Sequence, residues 1–211
     1  MALFVPHNGC PNQCSFCNQK SITGKQYQPT PQDVRNAVKE ALFSSEISGK
    51  YYDYEIAFFG GSFTAVDRDY MVSLLECAYE YVKDGTVSGI RLSTRPDKID
   101  TEVLDILKAY GVTSIELGAQ SMCDEVLSAN KRGHTAEDVR AASRLIIKYG
   151  FSLGLQMMTG LYKSSDERDI FTAKEVISLS PDTVRIYPTV TLEGTPLARL
   201  LTSVEYIPPK L

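Results

Sequence analysis

The stretch "KAYGVTSIELG" (108–118) runs from the end of a helical pattern, through a glycine, into an apolar β-branched run. Residues 147–155, "IKYGFSLGL", repeat that order. In both, the glycine (Gly111, Gly150) follows a tyrosine at the end of a 3.6-residue periodicity, the position of a C′ residue that closes a helix. One such junction is common in α/β proteins. Its weight comes from the rest of the chain, which keeps the same rhythm. Apolar runs fall at 2–6, 54–60, 89–94, 113–119, 152–158 and 183–189. Five helical patterns lie between them. The first opens at Thr30-Pro31, an N-cap followed by proline at the first helical position, and sets Val34, Ala37, Val38, Ala41 and Leu42 on one face. The next faces carry Met71, Leu74, Leu75, Ala78 and Val82, then Val103, Ile106, Leu107 and Tyr110. Val139, Ala142, Ile146 and Tyr149 mark the fourth; Ile170, Ala173 and Ile177 mark the fifth, which Pro181 stops.

Near-continuous apolar strands alternating with helices predict a parallel sheet covered by helices. Six strand units are short of the eight of a closed α/β barrel. They fit an open, partial barrel or a doubly wound sheet. A closing helix is expected after the sixth strand, where the chain instead reaches "EYIPPKL" (205–211). Residues 1–200 are taken as the core domain and 201–211 as a tail truncated before a further helix or domain. Polar and glycine-rich signals recur at the C-terminal ends of the strands: "GGSFT" (60–64), "TRPD" (94–97), "GAQS" (118–121), "QMMTG" (156–160) and "IYPT" (186–189). A single glycine after a strand is a turn signal. The same end of six successive strands is where barrel-like folds build active sites.

At 211 residues, 43% hydrophobic and 23% charged, the chain has the composition of a soluble globular domain. No run approaches the roughly 18 apolar residues of a membrane span, and no signal-peptide pattern opens it, so a cytoplasmic location and no membrane partner are expected. The net charge of −4 excludes a globally basic nucleic-acid binder.

Directly after the first strand comes "CPNQCSFC" (10–17), three of the five cysteines at C-x3-C-x2-C spacing. Crowded cysteines in a chain of this class point to metal or catalysis rather than a disulfide framework. Two readings stand. With His7 as a fourth ligand the run could hold zinc; alternatively it wraps an iron–sulfur cube, leaving one iron open, with Phe16 as a shield.

C-x3-C-x2-C with an aromatic residue before the third cysteine resembles the signature of the radical S-adenosylmethionine (SAM) enzymes. The resemblance implies that Cys10, Cys14 and Cys17 bind a [4Fe–4S] cluster whose open iron is chelated by SAM. It implies reductive SAM cleavage to a hydrogen-abstracting 5′-deoxyadenosyl radical, an external electron donor, and a partial (β/α)6 barrel. "FGGSFTA" (59–65) is similar to the family's glycine-rich motif after strand 2, which places Gly60, Gly61 and Ser62 at SAM. Gln120, followed twelve residues later by Arg132, resembles SAM-contacting positions, with Arg132 suited to a bidentate grip on the SAM carboxylate. Gln156 takes a matching inward position. Where relatives often carry a carboxylate for the SAM ribose, this chain has Ser93, which lacks the charge and the second oxygen.

Within the superfamily, "SITG" (21–24), "STRPD" (93–97), "IELGAQS" (115–121), "NKRGHT" (130–135), "MMTGL" (157–161) and "RIYPTVTLEGTPL" (185–197) resemble, in order, the radical SAM domain of the Elongator catalytic subunit and its bacterial and archaeal relatives. That implies tRNA wobble-uridine modification, with tRNA bound weakly by an acidic chain. The acetyltransferase domain and the basic N-terminal extension of that family have no counterpart within these residues. The rival readings are a coproporphyrinogen-dehydrogenase-like oxidase and a non-catalytic zinc- or cluster-stabilised interaction module.

Arg185, Tyr187 and Thr189 alternate on strand 6 and share a face. Arg185 and Tyr187 are candidate catalytic residues; an ion pair of Arg185 with Glu116 is the structural alternative. His134 reads as a capping or loop residue, Cys77 as packing, Cys123 as structural, and Met157 and Met158 as core.

Overall fold

The computed structural model describes residues 1–6, 10, 14–18, 24, 27–50 and 52–208. His7 and residues 21–23 of "SITG" lie outside them. Six strands, β1 (Ala2–Val5), β2 (Glu55–Gly60), β3 (Gly89–Thr94), β4 (Val112–Gln120), β5 (Ser152–Thr159) and β6 (Thr183–Pro188), form one sheet in the order β1-β2-β3-β4-β5-β6. Every neighbouring pair is parallel. A doubly wound sheet reverses its strand order once, sending helices to both faces. Here the order never reverses, so right-handed crossovers lay successive helices on one side and the sheet curves around its other face. The result is an open, partial (β/α)6 barrel.

Among the described residues the helices are α1 (Pro31–Ser48), α2 (Arg68–Lys83), α3 (Thr101–Ala109), α4 (Asp124–Ala129), α5 (Ala136–Tyr149), α6 (Asp166–Ser178) and α7 (Pro196–Thr202). Gly111 and Gly150 take left-handed φ values of 70° and 81°, as the opening stretch requires. α2 and α5 bury the expected faces, Met71, Leu74, Leu75 and Ala78 on one and Val139, Ala142 and Ile146 on the other. Thr135 starts α5 with a capping box to Asp138. None of the helices among the described residues is long and apolar enough to cross a membrane.

On α1 the expected face stops short of Leu42, which is exposed while Ser45 is buried, and two further expectations are corrected. The face of α6 is not Ile170–Ala173–Ile177: Ile170 and Ile177 are 57% and 67% exposed, while Thr172 and Val176 are buried. Thr172 goes inside because its hydroxyl accepts from the Met122 amide (3.1 Å) and meets the Ser121 hydroxyl (3.3 Å) just past β4. Counting only apolar residues missed a side chain buried for its hydrogen bonds. Second, a helix does follow β6. Thr195-Pro196 starts α7 with the same cap-plus-proline signal as Thr30-Pro31, the Thr195 hydroxyl accepting from Ala198 N. α7 runs through residue 200, and beyond it Tyr206 is buried and donates to Gly160 O (2.7 Å).

Candidate active site

The cysteine loop hangs from β1 and is fixed at Ser15. The Ser15 amide donates to Asn130 O (3.1 Å) and its hydroxyl donates to Asn130 Oδ1 (2.7 Å). Its carbonyl accepts from Leu197 N at the start of α7 (2.8 Å). Asn130 is fully buried and its Nδ2 donates to Val126 O and Tyr162 O, both at 2.8 Å. The segment "NKRG" after α4 and the α7 start thus clamp the loop from two sides. A turn from Cys17 N to Cys14 O (3.1 Å) bends the backbone between the second and third cysteines. Cys14 is buried, Cys17 half-buried and Cys10 exposed.

Facing this loop, the C-terminal strand ends surround a cavity of about 400 Å³. Cys10, Cys14, Phe16 and Cys17 line it, with Gly60, Gly61 and Ser62 after β2, Ser93 from β3, Gln120 from β4, Arg132 and Gln156. All eleven residues assigned to cluster or SAM from the sequence therefore border one space. Gly60 has φ = +105°, a conformation that side chains rarely adopt, so the turn there requires glycine. Gln120 sits at a register shift between Gly118 and Gln120 with φ = 66°, an uncommon value for a residue with a Cβ. The irregularity turns its amide into the cavity, where Oε1 is buried without a partner. Gln156 Nε2 donates to Glu116 Oε2 (2.8 Å).

Several contributors went unassigned in the sequence. Thr94, Arg95, Asn18, Gly194 and Pro196 also line the cavity. Arg95 is buried, its Nε donates to Asp97 (2.8 Å), its backbone N donates to Ser62 Oγ (3.2 Å), and its Nη2 is left without a partner. The signal was present in "TRPD", where a charged residue follows directly on a buried strand. Arg132 is 7% exposed; its Nη1 donates to Cys14 Sγ (3.1 Å) and its Nη2 to Gly118 O (2.6 Å). Both terminal nitrogens have a partner, each with a further N–H in hand, and Nε has none. The protein around Cys10 raises its thiol above the ordinary value, Cys14 adds to the rise, and the Arg95 and Arg132 charges act the other way.

Arg185 and Tyr187 do not line the cavity. Arg185 Nη2 pairs with Glu116 Oε1 (2.9 Å) and its guanidinium stands 5.5 Å from the Phe59 ring. Tyr187 first, and Glu116 among the charges, hold its pKa above the ordinary value. Glu116, 1% exposed, is the hub: Arg91 (3.4 Å), Arg185 and Gln156 all reach it. His134 is buried with Nε2 3.2 Å from Ala119 O; burial, then Arg132, hold its pKa down at about 4. Cys77 packs in the core against Arg35 and Pro31.

Among the described residues, no three His, Cys, Asp or Glu side chains converge as a single metal ion requires. A four-iron cluster asks for a different arrangement, thiolates spaced around a cavity with each meeting its own iron. Three cysteines line such a space here, and the unpartnered polar atoms of Gln120, Arg95 and Arg132 beside them fit a ligand carrying both donors and acceptors.

An open parallel barrel with a three-cysteine loop after β1 and a glycine-lined cavity at its strand ends defines a radical SAM protein. The chain belongs to the radical SAM superfamily, whose family model matches residues 4–174. It is 27% identical, over an alignment 231 positions long, to a tRNA uridine(34) acetyltransferase of Dehalococcoides mccartyi, covering 94% of this chain and 50% of that protein. It is 33% identical to human Elongator complex protein 3 over 172 aligned residues, 72% of this chain and 31% of that protein. Among solved structures, archaeal Elp3 from Methanocaldococcus infernus superposes with a TM-score of 0.74 at 26% identity, covering 86% of this chain and 49% of that one. Coproporphyrinogen III oxidase from Escherichia coli shares the fold (TM-score 0.64, 21% identity, 90% and 44% covered). The chain spans half the length of the first of these relatives and about a third of the second.

Proposed function

We propose that this chain is the radical SAM core of a tRNA wobble-uridine-modifying enzyme, carrying a [4Fe–4S] cluster on Cys10, Cys14 and Cys17 and SAM beside it. The observation that carries the reading is the single cavity bordered by those three thiols and by buried polar atoms that lack partners. When bound, the cluster and SAM supply one-electron cleavage of a sulfur–carbon bond and the hydrogen-abstracting power that follows.

The chain's own residues bind and orient. Gly60 and Gly61 bring backbone groups close to the ligand, with Ser62 held against Thr94 (2.9 Å). Gln120 offers a free acceptor; Arg95 Nη2 and Arg132 Nε offer free donors suited to the SAM carboxylate. Ser93 stands at the ribose position, and Gln156 is aimed by Glu116. Phe16 walls the cluster side from water. Arg185 and Tyr187, partly open on β6, are assigned to the substrate. Support for tRNA as that substrate comes from the names of the relatives, and the net charge of −4 implies weak binding by this chain alone. An external electron donor supplies the electron.

Anaerobic reconstitution with iron and sulfide should give a brown protein with the EPR signal of a reduced cluster. With dithionite it should cleave SAM to methionine and 5′-deoxyadenosine, and Cys10→Ala, Cys14→Ala or Cys17→Ala should each abolish both. A colourless zinc protein indifferent to SAM overturns the reading. Deoxyadenosine formation should rise with tRNA bearing U34 and not with the same tRNA bearing C34.

A further inference from the structure

Of the two buried arginines at the cavity, only Arg132 touches a cysteine. We propose that Arg132 is a positioning residue for the cluster: its guanidinium donates to the Cys14 sulfur and thereby sets the cluster's reduction potential. The proposal rests on the cluster assignment above. It gives Arg132 a second task beside the free Nε donor it offers SAM, one carried by Nη1 on Cys14 Sγ (3.1 Å) and anchored by Nη2 on Gly118 O (2.6 Å).

Four observations show the contact to be built into the fold. Arg132 is 7% exposed and Cys14 is 6% exposed, so bulk water screens the pair little. The backbone carrying Arg132 is tied to the backbone carrying Cys14 by the two Ser15–Asn130 hydrogen bonds, which fixes donor and sulfur in register. Gly118 leaves the space the guanidinium fills: a Cβ there would lie 3.3 Å from Nη2. The guanidinium also stands 6.0 Å from the Phe16 ring, a residue of the cysteine loop itself.

The physical consequence follows from charge. Reduction adds one electron to the cluster and makes no bond. The added negative charge spreads onto the cysteine sulfurs, where an N–H donor bearing a positive charge stabilises the reduced state more than the oxidised one. Arg132 therefore makes the cluster easier to reduce.

The test is an EPR-monitored titration of the reconstituted full chain without SAM, with dithionite as the electron source. In Arg132→Gln the reduced-to-oxidised ratio at the wild-type midpoint should fall about tenfold, a shift of about 59 mV to more negative potential for a one-electron couple. Arg132→Lys keeps the charge but cannot reach both acceptors, and should lower the ratio roughly threefold, so a folding defect in the glutamine variant leaves a second reading of the same quantity. A cluster-loaded variant of either kind with the wild-type midpoint overturns the proposal. Failure of the wild-type chain to take up iron and sulfide overturns the cluster assignment instead, and is seen before any variant is made.

Discussion

His134 and Glu116 are buried ionisable residues that the fold treats in opposite ways. His134 is kept neutral: Nε2 faces the Ala119 carbonyl, Nδ1 has no partner, and Arg132 is close enough to oppose a second positive charge. With its pKa lowered from 6.5 to about 4, the unfolded chain binds a proton more readily than the folded one. Stability is therefore full above pH 6.5 and falls as pH drops from there towards 4. Denaturant unfolding should show a loss of about 2 kcal/mol between pH 7 and pH 5, and His134→Gln should remove most of that slope. Glu116 is instead met by partners on three sides, Arg91, Arg185 and Gln156. Glu116→Ala leaves Arg185, 40% exposed at its side chain, without its carboxylate, while Arg91 keeps Glu55 (2.8 Å). The cost should fall below the roughly 3–5 kcal/mol of a fully buried broken pair, at about 2 kcal/mol by denaturant titration with an unchanged m-value. At this scale the sequence was half legible. The cysteines stand out by spacing, the glycines and Gln120 only through the resemblance to the family's motifs. The Arg185–Glu116 pair was readable as one of two alternatives and is present (2.9 Å), whereas Arg95 went unread, because a lone charge at the end of an apolar run looks the same whether its partner is a ligand or another strand.

Elements were more legible where burial is apolar and less where it is polar. α2 and α5 show their buried faces as plain periodicity, and the capping signals at Thr30 and Thr135 place two helix starts. α6 defeats the same count because Thr172 is buried for its hydrogen bonds to the end of β4, rotating Ile170 and Ile177 outward. The two isoleucines are therefore decoys. Val176→Ala should cost about 1–2 kcal/mol through lost packing, whereas Ile177→Ala should stay within about 0.5 kcal/mol of wild type, both read as shifts of the urea midpoint. The reverse ranking would restore the apolar face. β4 departs from its simple pattern at Gly118/Gln120, where the register shift that aims Gln120 inward is a matter of backbone geometry and leaves no mark in the alternation of residues.

At the scale of the whole molecule, the strand order β1 to β6 is what turns scattered motifs into one site. Because all six strands point the same way, their loops gather at one end, and the cavity draws on the loop after β1, the ends of β2 to β5 and the start of α7. β6 itself contributes no lining residue and forms an edge of the sheet. A ligand in that space ties together segments distant in sequence, so its binding energy must appear as added stability of the barrel as a unit. SAM at a hundredfold excess over its dissociation constant should stabilise the reconstituted protein by about 2.7 kcal/mol. Hydrogen exchange should show where: amides after β1, at Gly60–Ser62, at the ends of β3 and β4 and in the Asn130–Arg132 segment should slow, while those of β6 should change little. Protection confined to the cysteine loop would mean that SAM meets the cluster without engaging the strand ends. The cavity would then not be its binding site.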